Sequence, residues 1–528
     1  MGLESEHAVS AWRDDGTACE PHEAANALLD TAAKVLIHVR DVDGKGMFLA
    51  DGSRLYRDGG STHCHVEGAS AEVPSPIDLL GMRRATERML VEVADLTAKK
   101  HGFSAVVVSN ITYCYANPGV AFGSHSNLSC DPYAAPASAM LPFLASRVVL
   151  IGSGSLNPLS AGIRFMVSPR ALFTSCARSS RTEYGRGMID LLNLEKARFS
   201  GNAPRYHCHC ADGGISDLSL ALRFGCMGLV AAAFEAGGTK LPLEKIGFSN
   251  DEAAVAALKT YAADPTCLAK AETRGGYHTA VEIQWCYLRF VQSCIDRLPE
   301  WAPLICDLWL DALTKLEAGP GSLARNLDWC IKHRLFDSIV RRSRFQNWEQ
   351  LQHLSGFAER LEQMLKDQEG RDFMLTSTNL ADLPQRRLAS MCRQQNCGGL
   401  EESECLMDFL QLREQLCVLD LKYMKLGPLS LFSQLLQAGK IEPCLPGIES
   451  NDEDGDPLDL RPPSCGRARS RGRLIATYGG REGNKKGYAC SWHQFTGPGL
   501  VVDFPDVGME VMLPQAAEFA RHRHLPTF

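Results

Sequence analysis

The sequence predicts an α+β protein, with a catalytic body followed by a small C-terminal β-rich domain. Three observations carry this. Strand-like segments and helix-length apolar stretches interleave through the first 240 or so positions. From about 250 to 435, Pro and Gly separate stretches of helical pattern. An acidic, Pro-containing run, ESNDEDGDPLDLRPP (449–463), then reads as a linker, with Gly-containing turns and strand-like residues behind it at about 470–514. At 528 residues the chain is too long for one compact core. The expected division is a body over 1–445, a linker over 446–463 and a small domain over 464–528.

Taken in order, GLESEHAV at the N-terminus is the first strand. A helix is expected over about 22–39. GMFLADGSRLYRD (46–58) reads as a hairpin with Asp51-Gly52 at its turn. A long helix is expected over about 77–100, with Asp78, Glu87 and Glu92 on a polar side. Strand-like segments follow at 104–110, 146–151, 163–168 and 205–210. A further helix begins near Asp217 and ends at the pair Gly237-Gly238, a C-cap signal. No internal repeat is evident.

Composition excludes several classes. With 45% hydrophobic and 22% charged residues the chain reads as an ordinary soluble protein. A net charge of −7 and a pI near 6.1 argue against a general nucleic-acid binder. The longest apolar run, MLPFLASRVVLIG (140–152), is broken by Pro142 and Arg147 and falls short of the ~18 residues of a membrane span. MGLESEH lacks the apolar core of a signal peptide, and Glu6 breaks the myristoylation pattern. The expectation is a cytoplasmic protein without nucleic-acid or membrane partners. The 20 cysteines form no C-x-x-C pair, so they read as reduced, mostly buried thiols rather than a zinc framework.

Chemistry-bearing residues gather in the first 230 positions. Glu4 and Glu6 share one face of the first strand. Such a pair is either solvated on an exposed edge or neutralised by a cation, and hard oxygen ligands suit Mg²⁺. RLYRDGGSTHCHVEGASAE (54–72) carries Asp58, His65, Glu67 and Glu72; SHSN (124–127) follows a Gly-rich stretch. In PRYHCHCADGG (204–214) two histidines and two cysteines alternate. On a strand, Arg205, His207 and His209 share one face, while Tyr206, Cys208 and Cys210 share the other. The cysteine face suits a core, the Arg-His face a phosphate and its metal. His209 reads equally as a satisfied strand histidine, and His63 and His65 as loop histidines. The run Arg467, Arg469, Arg471, Arg473 reads as a solvated linker edge, or as a site for an acidic partner or phosphate.

The order of these pieces resembles the Pup ligase and depupylase family, whose members attach, deamidate or remove the small ubiquitin-like protein Pup. Gly2-Leu3-Glu4-Ser5-Glu6 matches the family opening G-x-E-T-E apart from Ser5. DGSRLYRDGGS followed by HVEGASAE resembles its R-L-Y-x-D segment, with Thr62-His63-Cys64 extra. Gly123 to Asn127 resembles G-C-H-E-N, PFLASRVVLIGSG (142–154) resembles P-F-x-x-T-R-x-x-x-G-A-G, Ser168 to Ala171 resembles S-Q-R-A, and RYHCHCAD resembles R-L-H-V-x-x-G-D. AVEIQWCYL (280–288), LDWCIKHRLF (327–336), LDLKYMK (419–425) and RARSRG (467–472) extend the likeness along the chain. The positions between Glu4 and Asp58 leave no room for the long loop of the depupylase branch, so the spacing resembles the ligase branch.

The resemblance implies a glutamine synthetase-like curved antiparallel sheet that cradles ATP, with helices behind it. It implies Mg²⁺ held by Glu4, Glu6, Glu67 and Glu72. Arg170, Arg205 and His207 would meet phosphates or metal, Tyr56 and His125 would line the site, and Asp58 would be the catalytic carboxylate. The implied reaction joins the C-terminal Glu of a Pup-like protein to a substrate lysine through a γ-glutamyl phosphate, with an indirect link to a proteasome. Depupylase or Pup deamidase chemistry on the same scaffold, and a nucleotide-binding relative without turnover, are the alternatives. Departures from the family pattern at Ser126, Gly214, LNLEK (192–196), Lys425 and the insertion bear on the substrate more than on the fold.

Overall fold

A computed structural model describes residues 1–59, 64–179 (except 116, 118 and 132), 186–190, 205–238, 241–369, 374–382, 400–442, 445, 455–481, 487–504, 508 and 511. Strand β1 (Gly2–Trp12) leads to helix α1 (Pro21–Val35) and the short strands β2 (His38–Asp41), β3 (Gly46–Leu49), β4 (Arg54–Asp58) and β5 (His65–Ala69). Helix α2 (Pro76–His101) begins at Ser75, whose side chain accepts from the Asp78 N–H, and stops at Gly102, which takes a left-handed φ of 67°. Then come β6 (Ala105–Ser109), β7 (Ser124–Ser129), helices α3 (Ala137–Ser146) and α4 (Val148–Ile151), β8 (Ser155–Leu156), β9 (Phe165–Met166), β10 (Cys176–Ser179), β11 (Gly187–Asp190) and β12 (Arg205–Ala211).

Thirteen strands form one sheet. Its order is β10-β11-β12-β7-β1-β5-β4-β3-β2, with β6 also on β1. Three C-terminal strands, β15 (Ala489–Cys490), β16 (Gln494–Gly497) and β17 (Leu500–Asp503), continue it beyond β2. Pairing is antiparallel except between β10 and β11 and between β15 and β2. The hairpin β13 (Lys270–Thr273) and β14 (Gly276–Thr279) lies apart. β1 is thus a central strand, not an exposed edge.

The back of the sheet is covered by helices. Asp217–Glu235 is the deepest: fifteen of its residues are buried, and it carries one cation, Arg223, in an apolar run. By length and composition it resembles a membrane span, but 83% of its apolar window is buried inside the fold. The sequence reading overlooked this run because Arg223 interrupts it. Helices Ala280–Gln292 and Ala302–Ala318 pack outside it in one large cluster with α3, α4 and the cysteine face of β12.

Three sequence expectations change. The segment 146–151, expected as a strand, is helical over Val148–Ile151. It is buried on all sides, so it shows no alternation or helical stripe from which to choose. The strand expected at 163–168 shrinks to Phe165–Met166. The tail begins with a helix, Gly466–Tyr478, rather than strands. Leu474, Ile475, Cys490, Phe495 and Phe504 share an apolar cluster with Val39 of β2 and Phe48 of β3, so the C-terminal segment and the body share both a sheet and a core.

Candidate active site on the sheet face

Residues directly opposite one another in an antiparallel pair face the same way. Glu6 lies opposite Glu67, and Glu4 opposite His125. Tyr56 is opposite Glu67 and Asp58 opposite His65. His207 is opposite Asn127. One face of five neighbouring strands, β4, β5, β1, β7 and β12, therefore gathers Tyr56, Asp58, His65, Glu67, Glu4, Glu6, His125, Asn127, Arg205 and His207. Residues of opposite parity go to the back, where Cys208 and Cys210 are buried in the main core, as the alternation in the sequence requires.

His125 bridges the paired carboxylates, with Nδ1 3.3 Å from Glu4 and Nε2 3.3 Å from Glu6. Burial opposes its charge, but hydrogen bonds to both glutamates override this and hold it up to about 9. Burial pushes Glu4 and Glu6 upward in turn. For Glu4, His207 and His125 reverse that; for Glu6, His125 and Arg170 do, and both carboxyls stay well below the usual range. Glu4 is also 3.0 Å from His207 Nε2 and 3.5 Å from Arg205, and accepts from the Asn127 amide at 3.2 Å. Glu67 goes the other way. Burial and the like charges of Glu4 and Glu6 raise it, and nearby His65, 3.8 Å away, only partly offsets this. Of the three glutamates on this wall, Glu67 alone is left short of positive charge.

Arg170 supports this face from the side. Its backbone N–H donates to Asp212 at 2.9 Å and its Nε to the His209 carbonyl at 3.3 Å, while buried Nη1 has no partner among the described residues. Gly123 sits against it. A Cβ there would lie 2.6 Å from Arg170 Nη2 and 2.7 Å from His125 Nε2, so any side chain would push the guanidinium and the imidazole aside. Gly123 also receives the Glu6 N–H on its carbonyl at 3.1 Å, and its own N–H donates to the Glu6 carboxylate.

The structure does not bring every expected residue together. Glu72 turns away, to Arg467 at 2.7 Å and to Arg471 on the C-terminal helix. Burial opposes its charge, but these two guanidiniums hold its carboxyl at about 2. Arg467 and Arg471 are buried, so they are not a solvated linker edge: four residues apart, they share the inner side of a helix. Asp58 ends β4 on the correct face and is exposed; the insertion residues Thr62 and His63 beside it lie outside the described residues, as does Glu195. Ser126 does not remove a group from the site. Its parity sends it to the back, where it accepts from Arg223 at 2.9 Å, and Ser124 does so at 2.8 Å.

Two side chains escaped the sequence reading of the site, and a third, His209, was placed on the right face but read equally as a satisfied strand histidine. His209 joins His125 and His207, with ring centroids 4.6 and 4.2 Å away. Its parity with His207 was the available signal. Asp190 lies 4.0 Å from His207 Nδ1, across a strand pairing no local motif announces. Arg223 was visible only as a lone cation in an apolar helix. Among the described residues three sets of possible ligand atoms each lie within 4.8 Å of one another: Glu6, His65 and Glu67; Glu4, Glu67 and His125; and His125, His207 and His209. The carboxylate-rich sets, in which Glu67 lacks a compensating charge, fit a hard divalent cation such as Mg²⁺.

A family profile described as Pup-ligase protein matches residues 1–355. A Pup–protein ligase of Brachybacterium faecium is 30% identical over 65% of this chain and 72% of its own length. One from Arthrobacter sp. is 29% identical over 65% of this chain and 74% of its own. A crystal structure of the complex between Prokaryotic Ubiquitin-like Protein Pup and its ligase PafA superposes with a TM-score of 0.67 at 19% identity, covering 100% of this chain and 97% of that one. A structure of the Pup ligase PafA in complex with ADP gives 0.63 at 22% identity, over 91% and 89%. These superpositions establish the shared fold.

Proposed function

This chain belongs to the Pup-ligase protein family, and we propose that it is an ATP-dependent carboxylate–amine ligase that joins the C-terminal glutamate of a Pup-like protein to substrate lysines. The observation that carries this reading is the wall of Glu4, Glu6 and Glu67, bridged by His125 and flanked by Arg170, whose Nη1 has no partner among the described residues. Such a wall suits a nucleotide triphosphate with its Mg²⁺, and family membership supplies the substrates.

A carboxylate does not acylate an amine at neutral pH because its leaving group is poor. Transfer of the ATP γ-phosphoryl group to the glutamate side chain of the modifier gives an acyl phosphate and ADP. The lysine amine then attacks the carbonyl, forms the isopeptide bond and expels phosphate. Glu4, Glu6 and Glu67 would hold Mg²⁺, which when bound neutralises phosphate charge. Arg170 and Arg205 add fixed positive charge where charge develops on the transferring group. Tyr56, its phenol kept protonated by burial and by Glu67, offers a hydrogen bond donor beside the carboxylates. Lysine is mostly protonated at pH 7, so its proton must be taken before it attacks. Asp58 is the base we assign: it is exposed on the same face, where an incoming lysine can reach it. The reading places the reaction in the cytoplasm, with lysine-bearing proteins as acceptors and a proteasome downstream.

The test is ADP release by the purified protein with Mg-ATP, an acidic peptide ending in Glu and a lysine acceptor. Release that requires the peptide, and falls at least about a hundredfold in Asp58→Asn, supports the reading. ATP binding without peptide-dependent release refutes it. Conversion of a C-terminal Gln peptide to Glu without ADP release would favour the deamidase alternative.

A further inference from the structure

We propose that Arg223 is a positioning residue for the nucleotide-bearing face: from behind the sheet it holds His125 and Arg170 at the separation that face requires. This role rests on the reading of the face as a nucleotide site. The side chain itself lies on the opposite side of the sheet.

Arg223 belongs to the deep helix Asp217–Glu235 and is 2% exposed. Its Nε donates to the Ser126 hydroxyl at 2.9 Å and its Nη1 to the Ser124 hydroxyl at 2.8 Å. Nη2 donates to the Ser124 carbonyl, and Nη1 reaches the Asp212 carbonyl at 3.3 Å. The two serines flank His125, so the guanidinium grips the residues on either side of it, from the face opposite its imidazole. Asp212 carries the hold across to Arg170. Its carboxylate accepts the Arg170 backbone N–H at 2.9 Å and the Ser153 N–H at 3.2 Å. One planar fork thus ties β7, the residue after β12 and the turn Pro169–Phe173. In the pattern G-C-H-E-N the two flanking positions are Cys and Glu, so the pair of hydroxyls that meets Arg223 is this chain's own.

Two features show why such a hold is needed. The pairing of β7 with β12 shifts register between Cys208 and Ala211, which stand opposite Ser126 and Ser124. His125 therefore sits at an irregularity, where ladder bonds are disrupted, and the guanidinium spans it. His125 and Arg170 also crowd one point. A Cβ on Gly123 would lie 2.7 Å from the imidazole and 2.6 Å from the guanidinium. Small displacements of β7 against the Arg170 turn therefore change how both side chains meet a ligand. The choice of residue fits this role. The partners of Arg223 are hydroxyls and carbonyls rather than carboxylates, and burial, with Arg147 and Arg83 nearby, lowers its guanidinium to about 9. Packing alone does not call for a cation in this apolar helix. What a guanidinium supplies is several donors fixed in one plane, and here they engage two strands at once.

The experiment is a double-variant cycle on the full-length protein, Arg223→Lys with Arg170→Met, read by fluorescence titration of labelled ATP with Mg²⁺ and by chemical denaturation. Arg223→Lys alone should weaken labelled ATP at least about tenfold, since an ammonium cannot reach both serines and Asp212 together. In the Arg170→Met background the same change should weaken it by less than about twofold, because the separation no longer matters. The stability loss should be the same in both backgrounds; a purely structural role would multiply the affinity losses rather than couple them. If Arg223→Lys does not fold, Ser126→Ala, which keeps the guanidinium and removes one anchor, replaces it in the cycle, with an expected loss of at least about threefold. A folded variant that binds labelled ATP within about twofold of wild type, or losses that multiply in the double variant, would overturn the proposal. Because binding alone is read, a coupled cycle in a protein that forms no adduct on a lysine acceptor would sink the ligase reading and leave Arg223 in this role. Adduct formation beside losses that multiply would do the reverse.

Discussion

Neutralising Glu72 tests whether this carboxylate is a clamp or a metal ligand. Its side chain is held between Arg467 and Arg471, and Arg471 is fully buried. Arg471 also donates to the Gly52 carbonyl and lies 4.7 Å over the Trp492 ring. Glu72→Gln therefore strands two guanidiniums, and breaking a buried charge cluster in this way costs about 3–5 kcal/mol. A second route gives a similar figure. Holding the carboxyl at about 2 instead of 4.5 corresponds to about 3 kcal/mol at neutral pH. The sign follows from a folded value below the unfolded one: the stabilisation is present above pH 4.5 and is lost as pH falls toward 2. The assay is chemical denaturation of wild type and Glu72→Gln between pH 3 and 7, paired with Mg²⁺ titration by calorimetry. The prediction is a loss of about 3–5 kcal/mol at pH 7, a gap that narrows in acid, and Mg²⁺ affinity within about twofold of wild type. Undiminished stability with lost Mg²⁺ binding would refute the clamp and restore Glu72 to the metal shell.

Three further outcomes follow from the site. Asp58→Asn, at an exposed strand end, should leave the melting temperature within about 2 °C while abolishing peptide-dependent turnover, checked by calorimetry beside the kinetic assay. Gly123→Ala forces a methyl against Arg170 and His125, so nucleotide affinity, measured by fluorescence titration of labelled ATP, should fall at least about tenfold while the fold persists. Arg223→Met removes the donor to Ser124 and Ser126 behind β7; chemical denaturation should show a loss of about 1–3 kcal/mol for each hydroxyl left unsatisfied.

Much of the site was legible because strand parity is a local property. Glu4 with Glu6, and the opposed faces of RYHCHC, follow from period 2 once the segments are strands. Strand neighbours were not legible in that way. That Glu4 meets His125, or that Asp190 backs His207, depends on pairings across 121 and 17 positions of chain respectively, which only the assembled sheet fixes. Glu72 shows the same limit. It stands near Glu67 in sequence, but beyond the end of β5 the chain turns it to a helix 395 positions away, whose two inward arginines could not be told from a solvated basic run. The fold failed to read locally where burial was complete, as at Val148–Ile151, because an all-apolar segment carries no period.

The central claim is chemical, and the most direct measurement is the mass of a lysine-containing acceptor after incubation with the protein, Mg-ATP and an acidic peptide ending in Glu. The account predicts an adduct equal to the peptide minus one water, placed on the lysine side chain by fragmentation, and absent without ATP or with Asp58→Asn. An unmodified acceptor, in a sample that binds ATP and retains its fold, would contradict it.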